Sequence, residues 1–128
     1  MAKVLVVDDD DDIRFLIAYK LTSAGYDVTL AADGTRGLDA ARRENPDLIL
    51  LDWMMPEMSG VEVCTALRAE PAYHDTPVIL ITARSQQADI ERGFAAGASD
   101  YVMKPFSPSE LLSRVTELLG GTGQLARA

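Results

Sequence analysis

Apolar residues fall along this chain in two alternating patterns, short unbroken runs and spaced stripes. Lys3 to Val7 is a β-branched apolar run too short for a buried helix, and it predicts a buried strand. Ile13, Leu16, Ile17 and Leu21 then repeat at helical spacing, and Gly25 supplies a left-handed stop. Asp27 to Ala31 alternates polar and apolar, as an edge strand with one solvated face does. A helix over Thr35 to Glu44 closes at Asn45-Pro46. Asp47 to Leu51 is the second strongly apolar strand, Met55 to Gly60 reads as a loop, and Val61 to Arg68 as a helix. Pro77 to Thr82 is the third buried strand, followed by a helix over Ser85 to Ala95 and a turn at Gly97. Asp100 to Met103 is a short strand ending at Lys104-Pro105. The last helix carries Leu111, Leu112, Val115, Leu118 and Leu119 on one stripe, with Ser107 as N-cap and Glu110 three residues on.

Five strand–helix units in a row imply an α/β fold, a parallel sheet with helices on both faces, because each crossover is right-handed and must cover the sheet. No internal repeat exists beyond this alternation. The stretch Gly120-Gly121-Thr122-Gly123 breaks the pattern. It predicts a domain over residues 1–119 and a flexible tail, or the start of a linker, over residues 120–128.

Composition narrows the class. At 128 residues, 48% hydrophobic and 25% charged, the chain can bury a core without staples. Its net charge of −8 repels phosphate backbones, so this domain is not expected to bind nucleic acid directly. Cys64 is the single cysteine, which excludes an internal disulfide and fits a reducing compartment. Its place between Val61 and Leu67 at helical spacing reads as core rather than as a reactive thiol. The apolar start Val4 to Val7 stops at a block of aspartates, unlike a signal peptide, and no run approaches the roughly 18 residues of a membrane span. The expectation is a soluble, cytoplasmic protein with no membrane partner.

In an open parallel sheet, ligands bind beyond the carboxyl ends of the strands. The residues there are Asp8 and Asp9 after the first apolar run, Asp52 after the third strand, Thr82 at the end of the fourth and Lys104 after the fifth. Three carboxylates brought together repel one another unless protonated or bridged by a cation. Mg²⁺ suits such a site, since it takes oxygen ligands and keeps several waters. Zinc does not, because nitrogen and sulfur ligands are lacking; the single histidine, His74, falls in a loop and reads as a surface residue. A carboxylate beside a cation, an ammonium and a hydroxyl is what phosphoryl transfer to an acid requires. The carboxylate is the nucleophile, and the cations neutralise charge on the transferred oxygens.

The segments VLVVDD (Val4 to Asp9), LILLDWMMPEMSG (Leu48 to Gly60), VILITA (Val78 to Ala83) and DYVMKPF (Asp100 to Phe106) resemble the receiver domain of two-component response regulators. The resemblance runs from about Lys3 to Leu119 with its motifs in order. It implies a doubly wound, flavodoxin-like five-stranded parallel sheet of strand order 2-1-3-4-5 with five helices. It further implies that Asp52, Thr82 and Lys104 carry the phosphoryl chemistry, with Asp52 the phosphorylated residue. Asp8, Asp9, Asp52 and the main-chain carbonyl of Met54 would hold Mg²⁺, and the Lys104-Pro105 peptide would be cis. Thr82 and Tyr101 would form the switch pair, although Tyr101 also reads as plain half-buried core. Small Ala83 leaves room for movement at Thr82, and Met54 and Arg84 would tune the lifetime of the phosphate.

By the same resemblance the phosphodonor is a histidine kinase or phosphotransfer protein, and the domain is a signalling switch rather than an enzyme with a separate substrate. The stretch from Arg92 through Arg114 resembles the subclass whose output is a winged-helix DNA-binding domain. In that subclass the face of the fourth helix, fifth strand and fifth helix forms a two-fold homodimer. Here Arg92 could pair with Glu110, and Asp100 with Arg114. The plainer reading is a set of solvated helix charges. Both a stand-alone receiver and the receiver half of a longer regulator remain compatible with the sequence.

Two rivals fit less well. Asp8, Asp10 and Asp12 have calcium-loop spacing, but Ile13 replaces the glycine of the sharp turn and Tyr19 the bidentate glutamate. Asp10, Asp11 and Asp12 are better placed as acids at a helix N-terminus. A Mg²⁺-dependent phosphohydrolase working through an aspartyl phosphate would need a second acid two residues past its nucleophile, where Met54 stands.

Overall fold

The structure, a computed structural model, describes residues 1–120. The remainder of the expected tail, residues 121–128, lies outside the described residues. The chain runs β1 (Lys3–Val7), α1 (Asp11–Ser23), β2 (Asp27–Ala31), α2 (Gly34–Glu44), β3 (Leu48–Asp52) and α3 (Gly60–Arg68). After a single 3₁₀ turn at Pro71–Tyr73 it continues through β4 (Val78–Thr82), α4 (Gln87–Ala95), β5 (Asp100–Met103) and α5 (Pro108–Leu118). All five strands are parallel, in the order β2-β1-β3-β4-β5.

Every residue of β3 and β4 is buried, because successive side chains enter opposite layers. Val4, Val6, Leu48, Leu50, Ile79, Ile81 and Val102 pack against Ile17 and Leu21 of α1 and Leu111 and Val115 of α5. Leu5, Val7, Ile49, Leu51, Val78 and Leu80 face Leu38 and Ala41 of α2 and Val63, Cys64 and Leu67 of α3. Each fully buried leucine contributes about 2 kcal/mol of transfer free energy. Cys64 is therefore core, as its spacing implied.

Three sequence expectations shift in detail. The buried stripe of α1 is Arg14, Ile17 and Leu21, while Leu16 is 47% exposed. A polar residue occupies the position that hydrophobicity alone would not assign to the inside. β3 extends through Asp52, whose backbone pairs in register with Ile81, and Asp47 instead accepts the Lys3 N–H at 2.8 Å. α4 starts at Gln87 rather than Ser85: its first helical bonds, from the Asp89 and Ile90 N–H groups, end on the Gln86 carbonyl, while the Arg84 carbonyl accepts the Tyr101 hydroxyl. At the other helix ends, Gly25 (φ 99°) is left-handed after α1, Asn45 (φ 48°) caps α2, and Ser59 with Glu62 forms a reciprocal capping box for α3.

Candidate functional site

The carboxyl ends of β1, β3, β4 and β5 form one rim. Asp8 continues β1 by donating its N–H to the Ala31 carbonyl (3.2 Å), and its Oδ1 accepts the Asp10 N–H (2.9 Å). Asp10 in turn caps α1 through the Ile13 N–H. The guanidinium of buried Arg14 donates to the Asp8 carbonyl at 2.9 Å, which fixes the β1–α1 turn from beneath. Asp52 is held as the last residue of β3, and the Gly60 N–H closes the following loop on the Trp53 carbonyl (2.9 Å). A side chain at Gly60 would strike the Asp52 carbonyl and lie 3.0 Å from Trp53 Cα, so the loop approaches the strand as closely as only glycine permits.

Asp8, Asp9 and Asp52 each place a carboxylate oxygen within 4.8 Å of the others, with Asp8 and Asp52 buried and Asp9 exposed. Lys104 is anchored by its N–H on the Thr82 carbonyl (2.8 Å). Its Nζ reaches Asp52 Oδ1 at 3.2 Å and Asp8 Oδ2 at 4.0 Å. The Lys104-Pro105 peptide is cis. Thr82, buried at the end of β4, accepts the Arg84 N–H on Oγ1 (3.0 Å). Burial, aided by the neighbouring Asp8 charge and opposed by Lys104, pushes the Asp52 carboxyl up to about 7. Burial also raises Asp8, against the stabilising Asp10 N–H bond and the Lys104 charge.

One ammonium thus faces three acids, and among the described residues Asp8 Oδ2 has no hydrogen-bond partner despite full burial. A hard divalent cation fits this cluster: its donors are all oxygens, and the orphaned carboxylate oxygen would gain a ligand.

The other expected residues lie around this rim. The Met54 side chain is exposed, with its sulfur 3.4 Å from Arg84 Nε. Tyr101 is buried and donates its hydroxyl to the Arg84 carbonyl at 2.6 Å. Arg114 pairs with Asp100 within the chain at 2.8 Å, and Arg92 places its guanidinium 5.7 Å from the Trp53 ring centre. The Glu110 N–H is capped by Ser107. His74 is exposed beside Asp75. Asp8, Asp9, Asp52 and Lys104 are therefore brought together with Thr82 adjacent; of the charges expected to pair between two copies, Asp100 and Arg114 pair within one chain and Arg92 lies against Trp53.

Sequence reasoning missed two features. Arg14 sits at positions i−3 and i−7 from Ile17 and Leu21, so a charge on the apolar stripe was the available signal. The stack around Trp53 involves Arg84, Arg92 and Tyr101 from three later segments, and no local pattern announces it.

The family model "Response regulator receiver domain" matches residues 4–116. The chain is 43% identical over 128 residues to "DNA-binding dual master transcriptional regulator RpaA" of Synechocystis, covering all of this chain and 53% of that protein. It is 42% identical over 113 residues to "DNA-binding response regulator MtrA" of Mycobacterium tuberculosis, covering 88% of this chain and 48% of that protein. The chain thus spans about half the length of these curated relatives. Among solved structures, chemotaxis protein CheY4 of Vibrio cholerae superposes with a TM-score of 0.88 at 38% identity, covering 92% of this chain and 98% of that one. The Francisella response regulator 1452 receiver domain gives 0.88 at 38% identity, covering 95% and 99%. Fold, rim geometry and a match over nearly the whole chain agree, and the chain belongs to the receiver-domain family of two-component response regulators.

Proposed function

We propose that the domain is a phosphorylation switch whose acceptor is Asp52. One observation carries the reading: the Asp52 carboxylate is buried at a strand end, 3.2 Å from the Lys104 ammonium and within 4.8 Å of two further acids. As nucleophile, an Asp52 oxygen attacks the phosphorus of a phosphohistidine on a histidine kinase or phosphotransfer protein. The new O–P bond forms as the N–P bond breaks, and the imidazole takes the electron pair. Asp52 must be ionised to attack, and Lys104 favours that form while its remaining N–H groups are free for the phosphoryl oxygens. Asp8, Asp9, Asp52 and the Met54 main-chain carbonyl would hold Mg²⁺. When bound, Mg²⁺ neutralises the acids and withdraws charge from the phosphoryl group.

The Thr82 hydroxyl, now accepting the Arg84 N–H, is the donor that turns to the attached phosphoryl group, and Tyr101 follows through its bond to the Arg84 carbonyl. The unit is the domain of residues 1–119, acting in the cytoplasm as a switch without a separate substrate. Its output passes through the face of α4, β5 and α5, where Arg92, Asp100, Glu110 and Arg114 would contact a second copy. The DNA-binding relatives support an output domain beyond the receiver.

Trp53 is the only tryptophan, buried next to Asp52, so its fluorescence reports the site. Titration with Mg²⁺ and then beryllofluoride, a phosphoryl mimic, is expected to change its emission in the wild type. In Asp52→Asn the beryllofluoride response should vanish. An unchanged response in that variant would move the acceptor elsewhere.

A further inference from the structure

Helix α4 is the most lightly held helix of the domain. Gly93 is its only buried residue, and its N-cap, Gln86, makes no side-chain capping bond. Its first turn is restrained instead by Asp89, whose carboxylate accepts from Arg84 Nη1 at 3.0 Å, with the Asp89 side chain 17% exposed. Arg84 lies in the β4–α4 loop and, besides its contact with the Met54 sulfur, has four further roles. Its N–H holds Thr82 Oγ1, its carbonyl holds the Tyr101 hydroxyl, its guanidinium pairs with Asp89, and its Cζ lies 5.2 Å from the Trp53 ring centre. Arg92 of α4 approaches the same ring at 5.7 Å, and Tyr101 meets it edge-on at 6.1 Å.

The platform beneath these groups is tied to the central strands. Trp53 is fixed by its N–H on the Ile81 carbonyl (3.0 Å), by the Gly60 N–H on its carbonyl, and by the close approach of Gly60 to its Cα. Thr82 is thus bonded to Arg84, Arg84 lies on the Trp53 ring, and Asp89 is the point where this chain of contacts enters α4.

We propose that the Arg84–Asp89 pair, seated on the Trp53 ring, is the link that carries the state of Asp52 to helix α4. The proposal rests on Asp52 being the phospho-acceptor and names the residues that transmit its state. Asp89 is a positioning residue: it touches neither the acids of the rim nor Lys104 or Thr82 in any hydrogen bond or ion pair of the described residues. Removing its charge alters transmission and leaves the site itself able to bind.

The test is amide hydrogen exchange of the intact chain with and without Mg²⁺ and beryllofluoride, on wild type, Asp89→Asn, Trp53→Leu and Asp52→Asn. In the wild type, addition of the mimic should change exchange both at the rim (residues 52–54 and 82–84) and across 87–95. In Asp89→Asn, residues 87–95 should exchange about threefold faster without ligand, and the change induced by the mimic should shrink about threefold. The rim response should stay of wild-type size while affinity for the mimic shifts by up to about threefold, the reciprocal of the lost coupling, which loss of a merely structural contact does not predict. Trp53→Leu should uncouple α4 in the same way. An α4 response of wild-type size in both variants overturns the link and leaves the acceptor reading intact. A rim response that persists in Asp52→Asn, or is absent from the wild type, overturns the acceptor reading and this inference with it.

Discussion

Replacing Asp52 by asparagine should stabilise the metal-free protein at alkaline pH and not at acid pH. The carboxyl is buried beside Asp8, which holds its pKa near 7 in the folded state against 3.8 when free. A folded-state pKa raised above the unfolded value contributes stability that is fully present below about pH 4. That contribution is lost as pH rises through about 7. The rise corresponds to a ceiling of about 4 kcal/mol of destabilisation at about pH 8. Asparagine keeps the shape and removes the charge; the attraction of Lys104 at 3.2 Å is already contained in that raised value. Relaxation of the charged site and entry of water reduce the ceiling by about half, to an expected net gain of about 2 kcal/mol.

For a domain of this size that gain is a rise in Tm of about 6–10 °C. Differential scanning calorimetry in a chelating buffer at about pH 8 should show it, and at about pH 3, below the unfolded pKa, the two proteins should melt together within about 2 °C. Saturating Mg²⁺ should then narrow or reverse the alkaline difference, since the ion binds the folded wild type more tightly than the variant. A variant no more stable than wild type at alkaline pH, or equally stabilised at both pH values, refutes the claim that charge crowding at Asp52 destabilises the fold.

Several further outcomes follow from individual contacts. Gly60→Ala places a Cβ against the Asp52 carbonyl and should cost about 3 kcal/mol, measured by urea denaturation, while also weakening beryllofluoride binding because the acceptor strand is pushed out of register. Asp9→Ala removes the exposed member of the acid cluster, so Mg²⁺ affinity by fluorescence titration should fall at least about tenfold while Tm without metal does not drop. Arg14→Ala leaves the Asp8 carbonyl without its buried donor at 2.9 Å and should destabilise by about 2 kcal/mol; an unchanged midpoint in urea would show that the β1–α1 turn holds itself.

How much of this was legible in the chain depends on whether a feature is local. The strands announce themselves because β1, β3 and β4 are buried on both faces and must be apolar without interruption. Ligands beyond strand ends follow from topology, so Asp8, Asp9, Asp52, Thr82 and Lys104 could be placed on one rim before any coordinates. The stripe of α1 was misplaced because Arg14 is buried through hydrogen bonds to Asp8 and Asp11, a compensation that hydropathy does not encode. The start of α4 was set two residues early because the Arg84 backbone is engaged by the Thr82 hydroxyl and by a tyrosine 17 residues later, contacts that no local pattern shows. Asp100 and Arg114 were paired from the sequence as a contact between two copies; that they close within one chain depends on how α5 lies along β5.

The interactions around α4 are small, and that is what makes the helix responsive. A hydrogen bond from Thr82 to a charged phosphoryl oxygen is worth about 1.5–3 kcal/mol. The Arg84–Asp89 pair, with one partner 38% and the other 17% exposed, contributes at most about 1 kcal/mol, and each guanidinium over Trp53 about as much. The restraint on α4 and the pull that one modified side chain can exert are therefore of the same order. The shift in population is then a factor of about ten rather than an all-or-none transition. The central strands bury leucine and isoleucine completely on both faces, and no single hydrogen bond competes with them. The domain can thus redistribute its α4 conformations at the rim while β1, β3 and β4 hold the acids in place.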